Sequence, residues 1–267
     1  MALGCDGLDV AMTPSERIQR AQQDLAEAEG QILAMLKSER SRRRGNLVRQ
    51  LHEVRRMRGG TAYPYVSQAG QDTVVDQLFR AKRSGTFVDI GGYDGVSGSN
   101  TLFFEQWRGW TGVLVEPVPA QRDRAAARRQ CPCLGYAVAA SDGEAEFLEI
   151  TAGFTQMSGL VESYDPALKD RVREDVRHQE NLIRVQTRTL SRILTEAGLD
   201  HPDFVSLDIE GGEVAVLSAF PFERHRVGIW AIENNTGTPE IRTIMQAAGY
   251  DLVEFCGPDE LWRRRDL

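Results

Sequence analysis

The chain has 267 residues, of which 41% are hydrophobic, and its formal net charge is -7. A chain of this size can hold one large α/β domain with an appendage. The acidic balance argues against nucleic acid as a partner, because phosphate contacts need a basic surface. No apolar run reaches transmembrane length, so we expect no membrane partner.

The N-terminal residues and the cysteines indicate the compartment. Met1 to Asp9 lack a basic segment followed by an apolar core, so we expect no export signal and a cytoplasmic location. The cysteines form no CxxC pair, and no second Cys or His pair completes a zinc site around Cys131 and Cys133. Free thiols are therefore predicted for all four, which are Cys5, Cys131, Cys133 and Cys256.

The first predicted element is a helix that begins at Thr13. Thr13 can cap it, Pro14 suits its first turn, and Glu16 lies where an acid favours the helix dipole. Apolar residues then recur at steps of three and four and form one seam. The seam would either pack on the rest of the chain or pair with a second copy in a homodimer. Its members are Ile18, Ala21, Leu25, Ala28, Ile32 and Met35.

A second helix follows and is strongly basic. Leu47, Leu51 and Val54 mark its apolar side. The basic residues form either a solvated face or a positive rim that attracts an acidic or phosphorylated substrate. Gly59 and Gly60 are predicted to end a helical extension over residues 1–60, with the main domain over residues 61–267. The arginines of this segment are Arg40, Arg42, Arg43, Arg44, Arg49, Arg55, Arg56 and Arg58.

A polar segment, residues 67–72, precedes the next predicted helix. It contains Gln68 and Asp72. These side chains could cap the helix or contact a ligand. The ligand role gains support from the strand that follows.

Residues 86–95 carry the strongest signal in the chain. An apolar strand ends at Asp89 and Ile90, and glycines 91, 92 and 95 follow at once. Glycines permit positive φ and let a ligand approach bare backbone. The pattern predicts the first strand of a nucleotide-binding α/β sheet, in which ligands lie outside the carboxyl ends of the strands.

The acids of this turn indicate which nucleotide is bound. The dinucleotide fingerprint GxGxxG is absent, and Asp89 and Asp94 would repel a pyrophosphate. The two carboxylates suit a ligand with an amino group and a sulfonium, which describes S-adenosylmethionine. The alternative is a plain strand-to-turn junction.

Further ligand contacts are predicted along the next elements. Ser99 caps a helix whose N-terminus could hold the methionine carboxylate. Glu116, followed by Pro117, ends the second strand and is placed to accept the ribose hydroxyls. After a third strand, near residues 134–138, Ser141 or Asp142 could accept from the adenine amino group, although an Asp-Gly turn explains Asp142 almost as well.

Residues 151–186 interrupt the alternation of strands and helices. They contain a loop at 155–159 and a charged stretch, 166–180, that is predicted to be helical. Long insertions at the ligand end of a sheet often act as lids or specificity elements. His178 could act as a base or contact the substrate, or could be a solvated surface histidine.

Regular alternation then returns until the end of the chain. The last two strands could form an antiparallel hairpin. Strands are predicted at 185–190, 204–210, 227–232 and 250–255 with a final segment at 261–262, and helices up to Ala197, from Glu213 to Leu217 and at 239–248.

Oxygen-bearing side chains end two of these strands. Asp208, Glu233 and Asn234 would converge beside the donor pocket, and an incomplete shell of oxygen ligands suits Mg²⁺. Such an ion would lower the pKa of a bound hydroxyl and orient its oxygen. Glu210 could substitute as a ligand or contact the substrate. The alternative is that these acids cap the following helices.

Several of these segments together resemble the FkbM-type methyltransferases. The resemblance implies a class I, Rossmann-like sheet of seven mostly parallel strands and O-methylation of natural products or sugars. The metal trio is similar to the Asp, Asp, Asn magnesium site of catechol-type O-methyltransferases, with Glu233 in place of the second Asp. The matching segments are residues 67–72, Phe87 to Gly91, Ser99-Asn100-Thr101, Val115-Glu116-Pro117, Thr187 to Leu190 and Phe204 to Gly211.

The sequence therefore predicts a methyltransferase that moves the sulfonium methyl to a hydroxyl of a small-molecule acceptor, with Asp208, Glu210 and His178 as catalytic residues. The alternatives are metal-free N-methylation with His178 or Glu210 as base, and a donor-binding protein whose helical arm recruits a partner. An NAD-dependent oxidoreductase is the weakest alternative. The predicted donor-binding residues are Gln68, Asp72, Asp89, Gly91, Gly92, Tyr93, Ser99, Asn100, Glu116, Pro117, Ser141, Asp142 and Asp208.

Overall fold

Residues 12–59 and 63–267 are described by the computed structural model, and they form two β-sheets with helices packed around them. The helices are α1 (Pro14–Leu36), α2 (Arg43–Met57), α3 (Gln71–Leu78), α4 (Pro119–Ala126), α5 (Pro166–Arg173), α6 (Leu190–Glu196), α7 (Glu213–Ala219) and α8 (Pro239–Ala247), with a short wide-turned helical segment at Phe104–Arg108. The strands are β1 (Thr86–Ile90), β2 (Thr111–Val115), β3 (Cys133–Leu134), β4 (Ala137–Val138), β5 (Gly143–Ala152), β6 (Gly159–Leu160), β7 (Gln179–Arg188), β8 (Phe204–Leu207), β9 (Ile229–Glu233), β10 (Tyr250–Cys256) and β11 (Asp259–Arg264).

The larger sheet has seven strands in the order β10-β11-β9-β8-β1-β2-β3. Strand β11 is antiparallel to both of its neighbours, and the pairs from β9 to β3 are parallel. The predicted C-terminal hairpin is therefore present, and the sheet is mixed. The strand predicted at 204–210 is shorter in the structure and ends at Leu207, so Asp208 and Glu210 lie in the segment that follows it.

Strand β1 lies near the middle of this sheet, between β8 and β2. Phe87, Val88 and Ile90 are at most 1% exposed, as expected of a strand covered on both faces. Val88 and Ile90 belong to one core cluster and Phe87 to another, so side chains of both faces are buried. The ligand-binding end of β1 is thereby fixed in a rigid frame.

The second sheet, in the order β4-β7-β5-β6, was not predicted. The predicted third strand divides, since Cys133–Leu134 pairs with β2 whereas Ala137–Val138 pairs with β7. The stretch predicted as a helix to residue 180 leaves the helix after Arg173, and β7 begins at Gln179. The strand predicted at 185–190 corresponds to the C-terminal part of β7. Its earlier residues, 179–184, are mostly exposed and charged or polar, which concealed this part of the strand in the sequence.

Helix α1 begins as predicted, with Thr13 and Glu16 forming a capping box. The seam is covered mainly at Ile32, which packs with Leu47 and Leu51 of α2, whereas Ile18 is 62% and Met35 55% exposed. Part of the seam thus packs within the chain. A homodimer through the exposed part stays a prediction, and Met1 to Ala11 lie outside the described residues.

Helix α2 docks on the edge of the larger sheet. Gly45 faces Gly257, to whose oxygen a Cβ at position 45 would approach within 2.1 Å. Arg44 pairs with Glu254 of β10 at 2.5 Å. Other arginines of the basic run also meet acids: Arg42 pairs with Glu260, and Arg55 and Arg58 with Glu29. Four of the eight arginines are thus paired, whereas Arg40, Arg43, Arg49 and Arg56 have no ion pair in the described part of the chain, so the positive rim stays a prediction.

Two further expectations concern cysteines and membranes. Cys131, Cys133 and Cys256 are free thiols, as predicted, and Cys5 lies outside the described residues. In the described ranges, no helix is both long and apolar enough to cross a membrane.

Candidate active site

A cavity of about 320 Å³ opens at the carboxyl ends of β1, β2 and β8. Its position agrees with the end of the sheet at which a ligand was expected. Many of the predicted site residues line it, namely Gln68, Asp89, Gly91, Gly92, Tyr93, Ser99, Asn100, Glu116, Pro117, Asp208, Glu210 and Glu233.

The glycine turn after β1 forms one wall of this cavity. Gly91 has a φ of 74°, and a Cβ there would lie 1.8 Å from the carbonyl oxygen of Asp208. Only glycine allows both this conformation and this close approach. Gly92 does not have a positive φ. A glycine is required there because a Cβ would lie only 2.4 Å from the Leu114 side chain.

The Asp89 carboxylate is held by several donors at the end of β1. Thr101 and Ser99 donate their hydroxyls to Oδ2 at 2.5 and 3.2 Å. The guanidinium of Arg129, whose side chain is fully buried, lies 3.4 Å from the same oxygen and also donates to the backbone oxygen of Gly95. Arg129 therefore ties the aspartate to the glycine turn.

Glu116 lies across the cavity and is 6% exposed. Its carboxylate accepts the backbone N–H groups of Tyr93 at 3.0 Å and Val118 at 2.8 Å. Burial nevertheless raises the pKa of this carboxyl to about 7, because removal from water disfavours the ionised form. A ligand with hydroxyl donors at this position would stabilise the ionised form.

Asp94 has a different role from the one its position suggested. Its Oδ1 accepts the backbone N–H groups of Val96 and Ser97, and Arg128 pairs with Oδ2 at 3.2 Å. It is absent from the cavity wall. The carboxylate closes the turn after β1 and does not face the ligand, so the repulsion of a pyrophosphate that was assigned to Asp94 is not supported.

Asp72 also lies outside the cavity wall. It is fully buried and accepts from the Ser67 hydroxyl at 2.5 Å and from Val66 N–H at 2.7 Å. These bonds shape the loop that carries Gln68 to the cavity. The placement does not support a direct donor contact for Asp72, because its oxygens are occupied within the loop.

Ser141 and Asp142 do not line the cavity either. Asp142 pairs with Arg192 at 2.9 Å and accepts from Thr189 N–H at 2.8 Å, while the backbone oxygen of Ser141 accepts from Thr187. Both residues connect this loop to β7 and the start of α6. The placement does not support the predicted adenine contact, and it agrees with the turn interpretation of Asp142.

His178 is also placed away from the cavity. Its Nε2 lies 2.8 Å from Glu180, at the start of β7. This contact within one loop does not support a role as catalytic base. Of the two bases considered for metal-free transfer, only Glu210 reaches the cavity.

Three carboxylates meet at the inner wall of the cavity: Asp208, Glu210 and Glu233 each offer one oxygen, and these oxygens lie within 4.8 Å of one another. Burial, reinforced by repulsion among the acids, raises the pKa of Asp208 to about 7 and that of Glu210 and Glu233 well above the usual range. Such a cluster is stable as three anions only with a cation.

Asn234, the third residue of the predicted trio, does not line the donor cavity, whereas Glu210 lies there beside Asp208 and Glu233. The Asn234 side chain is used in the loop before α8, where it donates to Thr238 and to Glu260 and accepts from Thr238 N–H. Glu210 enters the cluster through a left-handed backbone conformation, with a φ of 59°. The spacing of Asp208 and Glu210 made Glu210 a candidate ligand in the sequence, but the unusual φ could not be foreseen.

The sequence missed part of the outer wall of the cavity. Tyr136 and Phe147 come from the second sheet and the segment leading to it, and the loop 155–158 closes over them. The Tyr93 hydroxyl, from the glycine turn, lies 2.6 Å from the Thr155 hydroxyl. The sequence had named the loop at 155–159, within the predicted insertion, and Tyr93, but it gave no signal for Tyr136 or Phe147.

Comparisons with known proteins give a family and two distant structures. The family described as methyltransferase FkbM domain matches residues 89–252. No curated protein matches the chain. A methyltransferase FkbM structure from Methylobacillus flagellatus KT is 15% identical to this chain in sequence and superposes with a TM-score of 0.45. The match covers 92% of this chain and 59% of the other protein's chain. This chain therefore spans less than two thirds of that protein.

A TehB-like SAM-dependent methyltransferase from Corynebacterium glutamicum is 11% identical to this chain in sequence and superposes with a TM-score of 0.39. The match covers 81% of this chain and 95% of the other protein's chain. Neither of the two structural similarities is close enough to carry an argument about this chain.

Proposed function

We propose that this chain, which belongs to the FkbM methyltransferase domain family, is an S-adenosylmethionine-dependent methyltransferase that methylates a hydroxyl oxygen of a small-molecule acceptor such as a natural product or sugar. The observation that carries the proposal is the trio of carboxylates, Asp208, Glu210 and Glu233, at the wall of the donor cavity. In the same proposal, the larger sheet is of the class I type and residues 1–60 are its helical extension.

The residues of the cavity fit S-adenosylmethionine. Glu116 presents a buried carboxylate that suits the two ribose hydroxyls, and Asp89 suits the amino group of the methionine part. The Oδ1 atom of Asn100 is buried at the cavity and has no hydrogen-bond partner among the described residues. It can therefore accept a hydrogen bond from a bound ligand. Apolar side chains, including Val138 and Phe147, form a wall suited to a base.

The bound donor supplies an electrophilic methyl carbon on its sulfonium. The chain supplies the orientation: Glu116 and Asp89 fix the two ends of the donor, and the Thr155 loop restricts access of water. The carboxylate trio lies where an acceptor hydroxyl can be held and its proton removed. Positioning of this kind accounts for much of the rate of a displacement reaction.

We place Mg²⁺ at the trio, with Asp208, Glu210 and Glu233 as its ligands. Three oxygen ligands leave positions for water or for acceptor oxygens, which is the coordination that Mg²⁺ favours. A bound cation would lower the pKa of an acceptor hydroxyl. It would also compensate three carboxylates whose pKa values are otherwise raised.

A second candidate is metal-free transfer, including transfer to nitrogen, with Glu210 as the base. The observation in its favour is the raised pKa of Glu210, since a carboxylate of higher pKa is a stronger base once it is ionised. A non-catalytic donor-binding protein is a further alternative for a chain whose arm, α1, is largely exposed.

The test is methyl transfer from labelled S-adenosylmethionine to a panel of small hydroxyl and amine compounds, with products identified by mass spectrometry. We expect O-methylated products, loss of turnover in EDTA and recovery with Mg²⁺. Asp208→Asn should lower turnover by about a hundredfold or more while the product S-adenosylhomocysteine still binds. Asp123→Asn, at a side chain that is 73% exposed, is the matched control.

Each failure has a separate meaning. Full activity in EDTA would remove the metal, and exclusively N-methylated products would support the second candidate. Donor binding without transfer to any compound would support the binding protein.

A further inference from the structure

We infer that a second cavity, which adjoins the donor cavity, binds the methyl acceptor, and that this acceptor is a hydroxyl compound with a protonated amino group. The inference rests on the proposed function and assigns the substrate class of that site.

The second cavity has a volume of about 330 Å³ and lies between the start of α5, the start of α7 and the loop before α8. Glu210 and Glu233 line both this cavity and the donor cavity. A compound in the second cavity would therefore reach two members of the carboxylate trio, Glu210 and Glu233, which the donor cavity also contains. This is the arrangement that transfer between two bound molecules requires.

The charge of this cavity is one-sided. Its wall contains five acids and, among the described residues, no lysine, arginine or histidine. The five acids are Glu162, Asp165, Glu210, Glu213 and Glu233. A carboxylate or phosphate group on an acceptor would be repelled here, whereas a cation would be attracted.

Several other buried acids of the chain have an arginine partner, although Asp72 and Glu116 accept only from N–H and hydroxyl groups. Asp76 pairs with Arg108, and Glu105 with Arg129, each at 2.8 Å or less. Within the described ranges, none of the five acids of the second cavity has a salt bridge. Because ionised carboxylates are costly to bury without a counter-charge, a cationic ligand would stabilise the ionised form of the buried members of this group.

The hydrogen bonds of these acids show which of them are free to bind. Glu213 accepts the N–H groups of Ile209 and Gly211, so its carboxylate is satisfied. Glu210 is only 6% exposed, and its one hydrogen bond is a long contact of 3.5 Å from Asn235. Glu210 is thus a buried, nearly unpartnered acceptor facing the cavity. The buried hydroxyl of Ser163, also in the wall, has no partner among the described residues.

The outer acids give the amino group its place. Glu162 is exposed, and Asp165 is half-buried and uses only Oδ1, which caps α5. A divalent cation at the inner trio would offset two charges and leave these outer carboxylates uncompensated. Apolar side chains such as Val214 and Ile241 line the cavity together with Asn235 and Thr236, so the wall suits a saturated ring with polar substituents. Amino sugars and aminocyclitols have this combination of groups.

The test measures binding to protein saturated with S-adenosylhomocysteine, using two series that each compare a neutral ring compound with a basic and an acidic derivative. One series is glucosamine, glucose and glucuronate, and the other is aminocyclohexanol, cyclohexanediol and hydroxycyclohexane carboxylate. Ligand-observed NMR should show each amine binding about tenfold or more tightly than its acidic counterpart. Amines that bind no better than the acids would overturn the inference.

Variants locate the binding. Asp165→Asn retains a residue that can cap α5, and it should reduce the preference for amines, whereas Asp170→Asn on the exposed side of α5 should not. Thr236→Trp should fill the second cavity and abolish amine binding, with Thr243→Trp on α8 as control. The affinity for S-adenosylhomocysteine, measured in every variant, should remain unchanged. If the wild-type protein does not bind S-adenosylhomocysteine, the proposed function is refuted. If Thr236→Trp binds the amines as tightly as the wild type does, the assignment of the second cavity is refuted.

Discussion

At the scale of single residues, the chain contains two buried aspartates that each face a buried arginine. Asp76 meets Arg108 at 2.7 Å on a helix away from the cavity, and Asp89 meets Arg129 at 3.4 Å on the cavity wall. The two pairs have similar burial but differ in location. They therefore allow the effect of a lost ion pair to be separated from the effect of a lost ligand contact.

We expect Asp89→Asn to weaken binding of S-adenosylmethionine by about tenfold or more, because the variant loses the charge that faces the donor. Asp76→Asn should instead lower the free energy of unfolding by about 3 kcal/mol, because Arg108 is left unpaired. It should leave the donor affinity unchanged. Calorimetry and urea denaturation measure the two quantities, and an Asp89→Asn protein with wild-type affinity would contradict the assignment of Asp89.

Glu116 gives donor binding a pH dependence. Its pKa is raised by burial to about 7 in the protein without ligand, and the ribose hydroxyls favour the ionised carboxylate as their acceptor. The affinity for S-adenosylhomocysteine should therefore fall as the pH is lowered from about 8 to about 6. At the higher pH, Glu116→Gln should bind S-adenosylhomocysteine more weakly than the wild type does. Any pH dependence of the affinity that remains in this variant comes from titration of the ligand. An identical slope in both proteins would exclude Glu116 as its source.

At the scale of elements, two segments decide what surrounds the site. The second sheet brings Phe147 to the donor cavity, and the segment before α5 brings Ser163 to the second cavity. Helix α2 lies at the other side, where Arg42 reaches Glu260 of β11 and the backbone oxygen of Asn234, at the loop of the second cavity. The docking of α2 thereby supports a loop of the candidate site.

Two glycines of the N-terminal helices test this docking. Gly45→Ala places a Cβ 2.1 Å from the oxygen of Gly257 and should destabilise the protein by about 1 to 3 kcal/mol, because a backbone atom must move. Gly30 has nothing within 4 Å of a Cβ, so Gly30→Ala should be neutral or stabilise by up to about 1 kcal/mol through helix propensity. Urea denaturation measures both. Equal stability of the two variants would argue that α2 is not docked on the sheet.

At the scale of the whole molecule, a core that contains many acids affects how stability varies with pH. Burial raises the pKa of Glu116 to about 7 and that of Asp259 to about 6. Their unfolded values are 4.5 and 3.8. Between the unfolded and folded values the folded protein binds more protons than the unfolded chain, so its stability decreases as the pH rises through this range.

The melting temperature should accordingly be lower at about pH 8 than at about pH 5.5, and Glu116→Gln should reduce the difference. The exposed ion pairs do not reverse this trend, because the pKa values of Asp175 and Glu180 are lowered to about 2 and these acids are ionised throughout the range. Saturation with S-adenosylhomocysteine should stabilise the protein more at the higher pH. A melting temperature that rises steadily with pH would contradict this account.

The sequence by itself determined the elements whose signals are local. The apolar run ending at Asp89, the glycines after it and the cap at Thr13 each depend on the conformational preferences of adjacent residues. These signals predicted the central strand, the end of the sheet at which the cavity opens, and the acid Glu116 across it. The family resemblance and the C-terminal hairpin were also confirmed.

The tertiary structure alone decided the second sheet, the placement of Glu210 beside Asp208 and Glu233, and the second cavity. The first half of strand β7 has few buried residues and is recognisable only by its pairing with β5. Glu210 joins the trio through a backbone conformation that few non-glycine residues adopt. Asp142 and His178, which local patterns offered as ligands, are occupied by Arg192 and Glu180. Which polar side chain remains free depends on residues distant in the sequence, and only the folded chain brings those together.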